Sequence, residues 1–311
     1  MRLYTRVSNV PTKFFNYFRH PVPNPRPALL IPGLLFAMLW ASASVATKFG
    51  VQSAEPLVLA TVRFLIAGVG MLLVAYGFQK GNPMPTGVEW KRLIIFATLN
   101  TTVYLGLFVL ALKQVSAGIG SLSTATNPLF ITLMSAIFLR RKLRWQEGAG
   151  LALGLTGVCM AAYPLLGQAY ATVEGLLILL VSMLSVSAAT VYYARYTWRL
   201  PNLVINGWQV LIGGLLILPV TLLTADVGAT IFDGRFWLSV GWLIGPVSVV
   251  ALQLWFRLVR TDAVRASMWL FLCPIFGFAY SYLLLGEPIT GYTVAGTVLV
   301  VAGLGIGRKP N

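Results

Sequence analysis

Long apolar runs separated by short polar connections form the main pattern along this chain. Ten of these runs have the roughly 17–25 residues with which an α-helix crosses the hydrocarbon core of a bilayer. We number them spans one to ten: residues 31–50, 57–78, 91–112, 116–139, 147–163, 172–195, 203–224, 236–257, 263–285 and 290–307. Helices are expected because each backbone amide in lipid must find its partner within its own segment. The pattern predicts an all-α integral membrane protein with ten transmembrane helices.

The composition agrees with this prediction and excludes several kinds of site. Hydrophobic residues make up 58% of the chain and charged residues 10%, with a mean hydropathy of +0.81. A soluble domain carries about a quarter charged residues, so this chain could not cover a water-facing surface. Cys159 and Cys273 both lie in apolar stretches, so no disulfide is expected. The only histidine, His20, is near the N-terminus, and we predict no metal site and no cofactor.

One stretch of the chain occurs twice. Residues 117–157 align with residues 263–303 at a constant offset of 146 and without a gap. The positions that are identical in both copies include Ala117 with Ala263, Ser121 with Ser267, Pro128 with Pro274, Phe130 with Phe276, Ser135 with Ser281, Gly150 with Gly296, and Gly157 with Gly303. A period near half the chain suggests duplication. We therefore predict a basic tail over 1–27, a first repeat over 28–165 and a second over 166–311.

The basic residues give the predicted helices an orientation. With the N-terminus inside, the outer side holds only four of the 23 lysines and arginines, namely Lys48, Arg63, Lys113 and Arg235. This is the distribution that the positive-inside rule requires, with both termini cytoplasmic. The net charge of +15 thus reflects topology and contact with anionic lipid, and no nucleic-acid partner is expected. Because each repeat holds an odd number of spans, the second copy is predicted to be inverted, as in alternating-access carriers.

Several segments resemble EamA-type proteins, the ten-helix branch of the drug/metabolite transporter superfamily. The resemblance begins with the segment from Gly33 through Trp40 to Ser44, followed by Lys48. It continues from Glu55-Pro56 to Arg63-Phe64, over residues 104–160 and 250–306, and in the Gly286-Glu287 turn. One departure is Arg141, which stands where the second copy has Glu287. The resemblance implies a carrier of the bacterial inner membrane that often exports amino acids or related metabolites.

Two prolines mark where a substrate could bind. Pro128 and Pro274 lie near the middle of spans four and nine, where a proline removes a helical hydrogen bond. Irregular backbone at membrane depth is tolerated where it faces protein or a water-filled cavity. We expect helix breaks at both prolines, next to a polar face around Asn127 and an aromatic face around Trp269.

Polar and aromatic side chains predicted at similar depth complete the candidate site. The predicted substrate-binding residues are Trp40, Asn100, Tyr104, Ser123, Asn127, Ser185, Tyr192, Gln253, Trp269 and Cys273. Rings mixed with a few amides and hydroxyls suit a small amphipathic molecule. Two interpretations stay open, because polar residues also join helices in lipid and aromatic residues also pack or form interfacial belts.

Charged residues raise a second question. Lys48, Arg63 and Lys113 could form a cation set at the outer mouth that meets a substrate carboxylate; alternatively, Arg63 could pair with Glu55 or Glu287. All eight acidic residues fall at or near span ends, so we expect no buried carboxylate for proton exchange and predict a facilitator or exchanger.

A membrane enzyme is not expected. The spans contain no histidine, no paired carboxylates and no glycine-rich phosphate loop. The predicted function is export of small amphipathic metabolites, with drugs or lipid-like compounds as alternative cargo and a scaffold or receptor as the alternative class. Small-residue faces around Gly150 and Gly154 could pack within one chain or join a homodimer, so a monomer and a homodimer are both open.

Overall fold

The computed structural model describes residues 27–79, 81–138, 144–166, 170–261 and 269–307, and this part of the chain is almost entirely helical. The predicted basic tail and the residues around Arg141 lie outside it. The helices of the first half are α1 (Pro27–Gly50), α2 (Pro56–Leu73), α3 (Val88–Ala97), α4 (Tyr104–Gln114), α5 (Ala117–Ala125), α6 (Asn127–Phe138) and α7 (Trp145–Leu166). Those of the second half are α8 (Val173–Arg195), α9 (Asn202–Thr224), α10 (Gly234–Trp242), α11 (Leu252–Thr261), α12 (Cys273–Leu285) and α13 (Gly291–Gly307).

Short irregular helices join some of these segments. Helix α2 continues as a π-helix over Val74–Phe78, and a second π-helix, Thr98–Val103, joins α3 to α4. A third, Leu243–Ala251, contains Pro246 and joins α10 to α11. The offset of 146 places residues 98–103 on 244–249, inside that third segment, so the same irregularity occurs at corresponding places in both halves.

The predicted spans agree with the helices in most cases. Seven helical segments in the described part of the chain are long and apolar enough to cross a membrane, or eight if the bent pair of α5 and α6 counts as one. The last two predicted spans are present as the shorter apolar helices α12 and α13. Residues 263–268, where span nine was predicted to begin, lie outside the described residues. The protein is therefore a multi-pass, all-helical membrane protein.

Helices α7 and α13 touch backbone to backbone through glycines. A Cβ added at Gly157 would lie 2.5 Å from the carbonyl oxygen of Gly296, and one added at Gly303 would lie 2.6 Å from that of Gly150. The two helices are antiparallel because Gly157 meets Gly296 while Gly150 meets Gly303. Gly296 and Gly303 are the repeat equivalents of Gly150 and Gly157, so the contact is reciprocal. The small-residue face therefore packs within one chain.

Helices α2 and α9 show the same reciprocity. A Cβ at Gly68 would lie 2.7 Å from the backbone of Leu211, and one at Gly214 would lie 3.3 Å from the backbone nitrogen of Leu65. Gly214 is Gly68 shifted by 146 residues, and Leu211 is Leu65 shifted by the same number. Thr61 and Thr221 extend this antiparallel contact with a 2.7 Å hydrogen bond between their hydroxyls.

Charged groups at the helix ends and in the connections link neighbouring segments at both ends of the bundle. Asp233 accepts the N–H of Phe236 at 2.9 Å and the hydroxyl of Ser53 at 3.1 Å, and these hydrogen bonds, the first above all, hold its pKa below the usual value. At the opposite end, the Arg199 guanidinium binds both carboxylate oxygens of Glu89 at 2.9 and 3.3 Å. This pairing raises the pKa of Arg199.

Candidate functional site

The predicted break in span four is present. Helices α5 and α6 meet at Thr126 with a bend of 46°. Pro128 lies in the first turn of α6. A backbone N–H in the first turn has no acceptor within the helix, so a proline costs no hydrogen bond there. The Thr126 hydroxyl donates to the carbonyl of Ser123 at 2.6 Å and stabilises the corner.

Span nine changes its helical geometry at the corresponding residue. A 3₁₀ turn over Trp269–Leu272 leads into α12, and Pro274 lies in the first turn of that helix. Leu272, at φ −81° and ψ −17°, is the repeat equivalent of Thr126, at φ −81° and ψ −11°. The chain thus bends at the first predicted position, and at the second a 3₁₀ turn gives way to an α-helix, with nearly the same backbone angles at the two equivalent residues.

Asn127 lies directly at the first break. Its side-chain oxygen is buried and has no hydrogen-bond partner. Ser123, one turn earlier, is buried, while Ser116 caps α5 by accepting the N–H of Ile119 at 3.2 Å. An amide oxygen without a donor at membrane depth costs free energy unless a ligand or water supplies one. This oxygen is the clearest acceptor that the break presents.

The aromatic residues form one cluster around α1. Phe36 stacks on Trp255 with ring centroids 5.0 Å apart and lies 5.7 Å from Trp40. Trp269 packs against the same cluster, where its ring lies over Gly33. Buried Cys273 belongs to it as well. The structure therefore brings Trp40 of predicted span one together with Trp269 and Cys273 of predicted span nine.

The predicted polar residues of span three belong to a different cluster. The Gln209 side-chain oxygen accepts from the Asn100 amide at 3.2 Å and from the Thr101 hydroxyl at 2.6 Å. The Gln209 amide in turn donates to Asn206 at 2.9 Å. This network joins the π-helix Thr98–Val103 to α9.

Helix α8 supplies hydroxyls to the backbone of the same region. Ser185 donates to the carbonyl of Leu99 at 2.7 Å, and Ser182 donates to that of Tyr104 at 2.9 Å. These carbonyls lie where the π-helical backbone departs from the regular ladder, and side-chain hydroxyls commonly satisfy such groups. Asn100 and Ser185 thus join helices, which is the second of the two interpretations stated above.

Two predicted residues lie apart from both clusters. Tyr192 packs edge to face on Tyr196, whose other neighbour is the Arg92 guanidinium, 4.4 Å above the ring. The Gln253 side chain, on α11, is exposed. The structure does not bring either residue to the helix breaks.

The three predicted outer-mouth cations have three different environments. Lys113 forms an exposed salt bridge with Glu55 at 3.1 Å. The Lys48 ammonium donates to the carbonyls of Leu112 and Val115 at 2.8 and 2.7 Å, which caps the C-terminus of α4. Arg63 is buried in α2, where the sequence predicted that it would reach outward or pair with an acid.

The acidic residues differ from the prediction in one respect. Glu287 is only 4% exposed and Glu147 is also buried, although both lie at helix ends. Glu287 accepts the N–H groups of Ala117 and Gly118 at 2.9 and 3.3 Å, at the N-terminus of α5. The left-handed backbone of Gly286, at φ +66°, ends α12 and directs the chain toward this position. The expectation that no carboxylate is buried was therefore wrong, because distant helices cover these ends.

Some residues of these clusters were not predicted. Asn206 and Gln209 are amides three residues apart in an apolar span, and the rule that selected Asn100 would have found them. The role of Phe36 is visible only in the structure, because it depends on which rings face it. Two apolar grooves on helix surfaces, one beside Leu65 and Leu73 and one beside Trp90 and Ile212, contain none of the predicted site residues.

Comparison with known proteins gives matches along most of the chain. The model of the EamA-like transporter family matches residues 28–163 and again residues 173–306. An uncharacterised inner membrane transporter of Escherichia coli, YedA, is 28% identical over 276 residues, covering 87% of this chain and 86% of its own. An uncharacterised transporter of Synechocystis is 26% identical over 283 residues, covering 86% and 85%.

A plant relative and a solved structure are also similar. The chloroplastic WAT1-related protein of Arabidopsis thaliana is 24% identical over 288 residues, covering 88% of this chain and 67% of its own. A crystal structure with 20% identity superposes with a TM-score of 0.58 and covers 91% of this chain and 96% of its own, which shows a shared fold. The two matched ranges cover most of the sequence, and the chain belongs to the EamA-like transporter family.

Proposed function

We propose that this chain is a secondary transporter of the bacterial inner membrane that exports amino acids or their derivatives by alternating access. The observation that carries the proposal is the pair of helix breaks at Thr126 and Leu272. Carriers built from inverted repeats bind substrate near the midplane, where discontinuous helices free backbone groups. The bend at Thr126 and the change of helix type at Leu272 occupy equivalent positions in the repeat and have nearly the same backbone angles.

We infer that the chain forms ten helices in two inverted halves, 28–165 and 166–311, with both termini cytoplasmic. Support comes from the reciprocal antiparallel contacts of α7 with α13 and of α2 with α9. A pseudo-two-fold axis between two halves produces such contacts, since each residue then meets the equivalent of its partner. The π-helices at corresponding positions and the two separate matches to the family model also support two related halves.

The chemistry around the breaks favours amphipathic cargo. The Phe36, Trp40 and Trp269 rings offer an apolar surface, and the unpartnered oxygen of Asn127 offers an acceptor. An amino acid with an apolar side chain fits both features, because its ammonium group can donate to the amide oxygen. Pockets of this kind bind through apolar walls and a few placed polar groups.

The test is a thermal-shift screen of amino acids, amines and nucleosides on purified protein, followed by counterflow of the hits in proteoliposomes. We expect apolar amino acids to raise the melting temperature and to exchange across the membrane, relative to protein-free liposomes. Stabilisation and exchange by amines or nucleosides alone would contradict the cargo class. Absence of exchange by every compound would contradict transport.

A further inference from the structure

Arg63 is a buried cation whose charge the described protein leaves unpaired. The residue is 6% exposed and lies about two turns into α2. A guanidinium has five N–H donors. Here Nη2 donates to the Ser248 hydroxyl at 3.2 Å, while the buried Nε has no partner. The Phe64 ring, with its centroid 5.4 Å away, adds a weak attraction but no negative charge.

Glu55 and Glu287, the two partners that the sequence suggested for Arg63, form contacts with other groups. Glu55 is bound through both oxygens by Lys113 at 3.1 Å. Glu287 is held by two backbone N–H groups at the start of α5. Among the described residues, no carboxylate comes within 4 Å of Arg63. An ionisable side chain in a membrane span without a counter-ion indicates a functional site.

The surroundings of Arg63 connect it to the candidate site. The π-helix Leu243–Ala251, which carries Ser248, packs against α1, and the buried Cys273 thiol lies 3.9 Å from the Ala37 carbonyl of α1. Helix α4, which begins at Tyr104, packs against α2. Tyr104 and Cys273 are both predicted substrate-binding residues, and Cys273 directly precedes the proline of the second break. The π-helix that carries Ser248 also contains Pro246. Arg63 is therefore buried inside the bundle, against the π-helix that carries Ser248.

We propose that the Arg63 guanidinium binds the carboxylate of the transported molecule through N–H groups that include its unpartnered Nε. This inference rests on the proposed transport function and specifies the group that the site recognises, a single carboxylate such as an amino acid or another small monocarboxylate carries. One guanidinium balances one carboxylate and offers it two parallel N–H donors. A phosphate dianion would need a second cation, and Lys48 and Lys113 are both held elsewhere.

The experiment compares acids with their neutral amides on the wild-type protein. The probes are L-phenylalanine with L-phenylalaninamide, L-leucine with L-leucinamide, and benzoate with benzamide, measured by thermal shift in detergent. We expect at least one acid to stabilise the protein and its amide to bind at least about tenfold more weakly, since a hydrogen bond to a charged group is lost. Equal stabilisation by acid and amide in every pair, or none by any acid, would overturn the proposal.

Two variants then assign the effect to Arg63. Arg63→Gln should weaken binding of the active acid about tenfold or more and leave binding of its amide unchanged. Arg235→Gln, which removes an exposed cation outside the site, should change neither. Undiminished acid binding by Arg63→Gln would overturn the assignment. The wild-type comparison remains decisive if Arg63→Gln does not fold.

Counterflow separates this proposal from the proposed function. If radiolabelled L-phenylalanine or L-leucine exchanges in wild-type proteoliposomes and equally well in Arg63→Gln, the carboxylate site is wrong and amino-acid transport stands. If the acids bind through Arg63 but no compound exchanges, the site stands and transport is wrong. Exchange of amides or amines alone would contradict both the site and the amino-acid cargo.

Discussion

Gly157 and Gly296 lie backbone against backbone, so that a Cβ added at Gly157 would come 2.5 Å from the carbonyl oxygen of Gly296. They occupy the last helices of the two repeats, which pack antiparallel along their length. Without side chains between them, two helices in lipid approach closely and gain dispersion energy. This contact joins the two halves through their backbones.

The first prediction concerns this contact. Gly296→Val should destabilise the protein by about 1–3 kcal/mol or more, because its side chain would collide with the backbone of α7. The measurement is thermal unfolding in detergent. Gly305→Val is the matched control, since nothing lies within 4 Å of a Cβ at Gly305. An equal melting temperature for the two variants would contradict close packing of α7 and α13.

The second prediction concerns the Gln209 network. Removing the Thr101–Gln209 hydrogen bond in a double-mutant cycle of Thr101→Val and Gln209→Leu should give a coupling energy of about 0.6–2 kcal/mol. Thr98→Val serves as the control partner, because the Thr98 hydroxyl donates only to the carbonyl of Ile94 in its own helix. A coupling energy near zero for both pairs would show that α9 is not held to the π-helix in this way.

The third prediction tests Glu287 as a cap between the halves. Glu287→Ala should cost about 1–3 kcal/mol, because the N–H groups of Ala117 and Gly118 lose their buried acceptor. Glu287→Gln should cost less, since its amide oxygen can still accept one bond. Glu174→Ala, which alters an exposed acid in the first turn of α8, should have a smaller effect. A loss for Glu287→Ala no larger than that for Glu174→Ala would contradict the capping role.

The fourth prediction concerns energy coupling. We expect flux in proteoliposomes to be unchanged by an imposed pH gradient, because the described acidic residues lie at helix ends and the buried ones are held by hydrogen bonds. Flux would be followed with and without the gradient, for the wild type and Glu287→Gln. Acceleration by the gradient that disappears in Glu287→Gln would show proton coupling through this carboxylate.

The sequence was sufficient for features that depend on local pattern. Span seven was predicted over 203–224 and is found as Asn202–Thr224; span six, over 172–195, is found as Val173–Arg195. Run length and turn residues determine such boundaries. The breaks at Pro128 and Pro274 were also predictable, because a proline has the same local effect wherever it occurs.

The remaining features depend on which distant residues face one another. The position of Arg63 along α2 gave its depth in the membrane but not the side of the helix on which it lies. The sequence therefore suggested a set with Lys48 and Lys113, whereas the Arg63 guanidinium donates to Ser248. Burial of Glu287 depends on α5, which lies about 170 residues earlier in the chain. The π-helices shift hydrogen bonds over a few residues and leave no periodic signal in hydrophobicity.

Access to Asn127 from both sides of the membrane tests the central claim most directly. Asn127→Cys would be introduced together with Cys159→Ser and Cys273→Ser, and a membrane-impermeant thiol reagent applied to either face of oriented vesicles. Alternating access predicts labelling at this position from both faces, with both rates altered by a compound that exchanges in counterflow. Labelling from one face only, whatever compound is present, would contradict the account.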